Sequence, residues 1–136
     1  MKSGKEKRLD QIHNEIKQLN PEIPEQLNKI IKLYSQAQII IGYLDADALY
    51  DAGRIYAERK RVYAETIEKE SGTVAEKQAK AELAVYDLRI KEAEAKSESR
   101  KWQNLFDSYG NLIIALRRDE RTAAEEYRKA NDIYDS

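Results

Sequence analysis

The sequence predicts an all-α fold: a long antiparallel helical hairpin, coiled-coil-like, with a short N-terminal amphipathic helix, assembled into an oligomeric bundle. Three observations predict it. Charged residues make up 36% of 136 residues, with only 5 Gly and 2 Pro, a composition typical of long solvated helices. Apolar residues recur at steps of 4 and 3 through most of the chain, as in a helix that buries one stripe. Strong helix stop and start signals occur together at one place, Ser71-Gly72-Thr73.

The first element, residues 1–20, carries Leu9, Ile12, Ile16 and Leu19 at 3-4-3 spacing, enough for one amphipathic helix. Its opening stretch Met1–Asp10 is basic and polar, with no apolar segment behind it, which does not match a secretory signal. It ends at Asn20-Pro21-Glu22-Ile23-Pro24. Proline disfavours helix in the residue before it and removes a backbone donor. Pro24 can open the next helix, where the missing N–H costs nothing.

Residues 21–136 form the hairpin, with its turn at 71–73. Gly72 can stop one helix in the left-handed conformation. Thr73 can cap the next, and Glu76 stands three residues on, completing a capping box. Gly42, Gly53 and Gly110 fall inside periodic segments and are assigned to helix, each at about 1 kcal/mol against Ala.

The first arm's seam runs Ile23, Leu27, Ile30, Tyr34, Ala37, Ile41, Leu44, Ala48. Beyond Ala48 it slips by one residue and continues as Leu49, Ala52, Tyr56, Tyr63 and Ile67, with Ile55 and Val62 alongside. Such a slip changes the local supercoil. The second arm keeps a heptad register for about 60 residues. It passes from Val74 through Ala81, Val85, Leu88, Ala95, Trp102, Phe106, Tyr109, Ile113, Leu116, Ala123, Tyr127 and Ala130 to Tyr134. Gln78, Glu92, Ser99 and Glu120 are its polar members.

A short turn makes the arms antiparallel neighbours over about 70 Å at 1.5 Å per residue. Ile41 then falls near Gln103, Tyr34 near Gly110 and Ile30 near Ile114. The end far from the turn holds the most apolar surface. Ile39-Ile40-Ile41 and Leu112-Ile113-Ile114 each span a wide arc, more than two helices cover. The N-terminal helix or a second copy must cover the rest, so a homo-oligomer, dimer or higher, is expected. Its interface residues are expected to be Ile30, Tyr34, Ile41, Leu44, Trp102, Phe106, Tyr109, Ile113 and Leu116.

Catalysis and metal binding find little to work with. No Cys exists, which excludes disulfides, thiolate zinc, iron–sulfur clusters and a thiol nucleophile. His13 is the single histidine, with no Glu-x-x-His pair for a bundle metal site, and it reads as a partly exposed polar residue. Asp45, Asp47 and Asp51 diverge around a helix and make no calcium loop. No Gly-x-Ser-x-Gly elbow or Gly-rich phosphate loop is present. No catalytic residue, metal site or cofactor is assigned, and the chain is not read as an enzyme. Apolar runs such as Ile39–Ile41 fall far short of the about 20 residues a membrane span needs, so a cytoplasmic protein is expected.

Lys plus Arg is 24 and Asp plus Glu 25, a balance unlike a generic nucleic-acid binder. Basic residues still cluster at Lys2, Lys5, Lys7 and Arg8, at Arg54, Arg59, Lys60 and Arg61, and at Arg117, Arg118 and Arg121. Glu6, Glu58, Asp119 and Glu120 interleave them, as on a helix surface laced with salt bridges. The alternative is phosphate contact by Lys5, Lys7, Arg8, Arg117, Arg118 and Arg121, which would give steeply salt-dependent binding. Tyrosine, nine against one Phe and one Trp, is favoured at protein interfaces. Tyr43, Tyr50 and Tyr86 lie off or beside the seams and suggest a partner surface.

The segment Arg100-Lys101-Trp102-Gln103-Asn104-Leu105-Phe106, followed by Leu112-Ile113-Ile114-Ala115-Leu116, resembles small uncharacterised helical proteins of phages and prophages of Gram-positive bacteria. There an aromatic-led W-x-N-x-F stretch follows an Ala/Glu/Lys-rich helix, here Thr73–Lys101, and precedes an apolar helix. The resemblance covers the last half of the chain and brings no catalytic residues. It implies an accessory role in the host cytoplasm, beside recombination or single-strand-binding proteins or against a host defence enzyme. The expected function is thus a non-enzymatic protein–protein interaction. The alternative is direct nucleic-acid binding in a recombination or replication module.

Overall fold

The computed structural model describes the backbone of residues 1–135, with side chains through Ile133. The side chain of Tyr134, the last seam position, lies outside the described residues. The fold is all-α: α1 (Gly4–Lys17), α2 (Pro24–Lys69), α3 (Val74–Ala84) and α4 (Tyr86–Asp135).

Local chemistry sets the ends. Ser3 caps α1 by accepting from the Glu6 N–H at 3.2 Å. Between α1 and α2, the Asn20 carboxamide oxygen accepts from the Glu22 N–H at 3.0 Å. The Gln26 side chain accepts from the Asn20 N–H at 2.7 Å. Pro24 is the first residue of α2. Gly72 takes φ 121, and Thr73 caps α3 by accepting from the Glu76 N–H at 3.1 Å. The reading of an unbroken helix from Thr73 onward needs one correction. Val85 interrupts it at φ −103, ψ 6, although ladder bonds persist on both sides, Val85 to Ala81 at 3.1 Å and Arg89 to Val85 at 2.9 Å. No Gly or Pro marks the spot. The residue there is β-branched and fully buried, hence stiff.

Contacts divide the chain into two compact units: Met1–Leu44 with Gln103–Ser136, and Asp45–Trp102. In the first unit, Leu27 and Ile31 of α2 pack with Ile113, against which Tyr34 and Leu116 also lie. The Gln38 side chain donates to the Phe106 carbonyl at 3.1 Å. Rising numbers on α2 meet falling numbers on α4, so the two run antiparallel. The helix α1 buries Leu9 and Ile12, and its His13 ring meets Tyr109 edge-on at 5.8 Å, placing it on its own chain.

In the second unit, α2 again runs antiparallel to α3 and α4. Asp45 meets Ser99, Arg59 meets Glu92, and Glu70 meets Lys80 at 3.3 Å. The buried line of α2 here is Ala48, Ala52 and Ile55, while Leu49 and Tyr56 stay exposed. The seam therefore shifts after Ala48 through Ala52 to Ile55, not through Leu49 and Tyr56. Ile41, Leu44, Ala48 and Ala52 follow in steps of three, four and four, an eleven-residue spacing, which relaxes a left-handed supercoil. On α3 and α4 the buried positions Ala81, Val85, Glu92, Ser99 and Trp102 keep the heptad register without a slip.

Candidate protein-interaction site

Most residues expected at an assembly interface are occupied inside the chain. Ile30, Ile41, Leu44, Trp102 and Ile113 are buried, and Tyr34, Tyr109 and Leu116 are half-buried. Phe106 is the exception at 41% exposed. Tyr34 meets Tyr109 edge-on at 5.3 Å. The Tyr109 hydroxyl also hydrogen-bonds Nε2 of His13, a contact that His13's isolation in the sequence gave no reason to expect. Burial of that contact pushes the His13 pKa below its usual value, with Lys17 lowering it further and Asp10 opposing. Burial, and then Tyr34, raise that of Tyr109. Both shifts favour the neutral forms, a protonated phenol against a neutral imidazole.

The polar seam members of the second unit are satisfied. Glu92, 6% exposed, accepts from Arg59 at 3.2 and 3.4 Å. The buried Ser99 hydroxyl donates to Asp45 at 2.5 Å. Among the described residues no buried side-chain polar atom lacks a partner.

The basic clusters lie on exposed faces. Lys2 pairs with Asp10 at 2.6 Å and Arg8 with Glu15 at 3.6 Å, while Lys5 and Lys7 are exposed. Arg117, Arg118 and Arg121 are exposed on α4. Arg117 and Arg121 share a recess of about 530 Å³ with Lys32, Asn28, Gln36 and Glu120.

Uncovered apolar surface is the more distinctive feature. In the first unit, the seam of α4 is covered through Leu116 and Glu120. Ala123, Tyr127 and Ala130 then continue it in the open, with Tyr127 70% exposed. Pro24, Leu27, Glu120, Ala123, Ala124 and Tyr127 line a groove of about 380 Å³ there. In the second unit, Tyr50 on α2 is 72% exposed and Leu83 on α3 is 79% exposed, with Tyr86 and Ile90 of α4 also open. These lie two residues before seam positions. That spacing marks a second stripe, and it is present in the sequence behind the stronger seam.

Among the described residues no group of three or more His, Asp or Glu side chains could hold a metal ion. Among them, too, no helix is long and apolar enough to cross a membrane. Comparison of the chain with protein-family models, with curated proteins and with solved structures gives no match.

Proposed function

We propose that this chain is a non-enzymatic protein–protein interaction protein, a long antiparallel helical hairpin that self-associates and holds a helix of another protein. The observation that carries the reading is the end of α4. There Ala123, Tyr127 and Ala130 extend a packed seam past the last residue that α2 covers, and a groove runs beside them. A helix that keeps its apolar spacing after its internal cover ends presents a ready-made groove for another amphipathic helix. The partner class is that of the resemblance: a DNA-processing factor or a host defence enzyme met by a phage accessory protein in the host cytoplasm.

Affinity capture from phage-infected cells tests this. A protein held by the wild-type chain and lost with Tyr127→Glu supports the reading. Capture unaffected by Tyr127→Glu removes the groove from it, and a wild-type chain that sediments as a monomer removes self-association.

One arrangement favours a second reading. Lys32, Arg117 and Arg121 line a single recess beside Glu120, three cations to one carboxylate, a charge balance suited to phosphate. Gel shifts at two salt concentrations decide it. Binding at low salt that falls steeply with added salt supports nucleic-acid contact. Absence of binding at low salt ends it.

A further inference from the structure

In the second unit each arm carries two rows at heptad spacing, one packed and one open. On α2 the packed row is Ala52, Ile55, Arg59, Val62 and Thr66. Two residues before each stands an open position, giving Tyr50, Gly53, Ala57, Lys60 and Ala64, with half-buried Ile67 extending the row. On α3 and α4 the packed row is Val85, Leu88, Glu92, Ala95, Ser99 and Trp102. The open one is Leu83, Tyr86, Ile90, Ala93, Ser97 and Arg100. The ladder bonds either side of Val85 carry this row across the break. Two residues turn a helix by about 200°. Each open row therefore faces away from the arm's packed partner.

We propose, resting on the self-association put forward above, that the open row of α2 receives the open row of α3–α4 from a second copy of this chain. The two run antiparallel, with Ala57 facing Ala93, Ala64 facing Tyr86 and Ile67 facing Leu83.

Charge complementarity selects this occupant and this register. One flank of the α2 row carries Asp47, Arg54, Arg61 and Glu68, one heptad apart. The matching flank of α3–α4 carries Lys80, Asp87, Glu94 and Lys101. All eight are exposed. Laid antiparallel in the stated register, Asp47 meets Lys101, Arg54 meets Glu94, Arg61 meets Asp87 and Glu68 meets Lys80, four opposite pairs. A slide of one heptad in one direction sets Asp47 against Glu94 and Arg61 against Lys80. A slide in the other direction sets Arg54 against Lys101 and Glu68 against Asp87. Flanking charges of this kind choose partner and orientation in helical pairs. Pairs made now on the surface, among them Arg61 with Glu65 at 3.0 Å, Lys101 with Glu98 at 2.9 Å and Lys80 with Glu70 at 3.3 Å, are exposed and exchange at little cost.

The contact joins two different faces on opposite sides of the unit, so two copies cannot satisfy both. Successive copies add head to tail, into a ring or an open array.

The chain has no cysteine, so introduced ones report cleanly. Ala57→Cys and Ala93→Cys, purified separately, mixed and mildly oxidised, are expected to give a disulfide-linked dimer on a non-reducing gel, while neither alone does. Both substitutions in one chain are expected to give a ladder, since the two positions face opposite ways within a chain. Arg54→Glu is expected to weaken association about 3- to 10-fold, and adding Glu94→Arg to restore it. Cross-linking of Ala57→Cys with itself overturns the pairing. So does a mixture that fails to cross-link while the wild-type chain sediments above monomer mass, and so does a charge swap that does not restore association. A wild-type monomer instead removes the self-association on which the pairing rests.

Discussion

Arg59 lies against Glu92 with two hydrogen bonds, at 3.2 and 3.4 Å, and both side chains are largely shut off from water, at 15% and 7% exposure. The pair occupies a seam position that an apolar residue would otherwise fill. Removing one partner leaves the other charge largely uncompensated, Glu92 keeping only Lys96 at 4.0 Å, so Arg59→Leu or Glu92→Leu alone is expected to cost about 3 kcal/mol. The double substitution is expected to recover most of that loss, because packed apolar side chains replace a desolvated pair. Urea denaturation of the three variants measures both. Near-additive losses in the double variant would show that the two residues do not act as a pair.

The turn before α3 depends on two residues. Thr73→Ala removes the cap on the Glu76 N–H and is expected to cost about 1 kcal/mol. Gly72→Ala is expected to cost at least as much, because φ 121 is unfavourable for a residue with Cβ and the new methyl would press on the Glu76 side chain. Thermal melts report both, and unchanged melting for Gly72→Ala would contradict the left-handed turn.

Acid is expected to loosen α1. The His13 pKa is lowered in the folded chain, chiefly by burial, so the unfolded state binds the proton more readily. The contribution of this contact is therefore full above the ordinary histidine value of about 6.5 and is lost as pH falls below it. Amide protection in α1, corrected for intrinsic exchange, is expected to drop between neutral and mildly acidic pH. His13→Phe is expected to flatten that dependence, and an equal drop in the variant would assign it elsewhere.

Core and surface aromatics are expected to separate. Trp102→Ala opens a void at a buried position and is expected to cost about 3–5 kcal/mol. Tyr127→Glu changes an exposed position and is expected to stay within about 0.5 kcal/mol of wild type. Circular dichroism melts separate the two cases, and a destabilised Tyr127→Glu would mean that the end of α4 is covered within the chain.

What the sequence revealed depended on how strictly a residue's type dictates its place. The seam of α3 and α4 could be read because Ala81, Val85, Trp102 and Ile113 hold one register, with Glu92 and Ser99 legible as intrusions although not as partners of Arg59 and Asp45. After Ala48 the shift itself was legible, but hydrophobicity pointed to Leu49 and Tyr56. Ala52 and Ile55 take the buried line instead. The break at Val85 carries no turn chemistry, and the residue there is β-branched and fully buried. His13 finds Tyr109 across 96 positions of sequence, which no local pattern encodes. The second stripe around Leu83 and Tyr86 was present all along, but a stronger period two residues away masked it.

The connection between Lys69 and Val74 has a consequence for how chains exchange parts. With so few residues between α2 and α3, the arms pair within one chain only while Gly72 and Thr73 hold the turn. Converting Ser71-Gly72-Thr73 to helix formers would remove both the stop and the cap. The two arms would then run on as one helix, and each would find its complement on another molecule, a domain-swapped dimer.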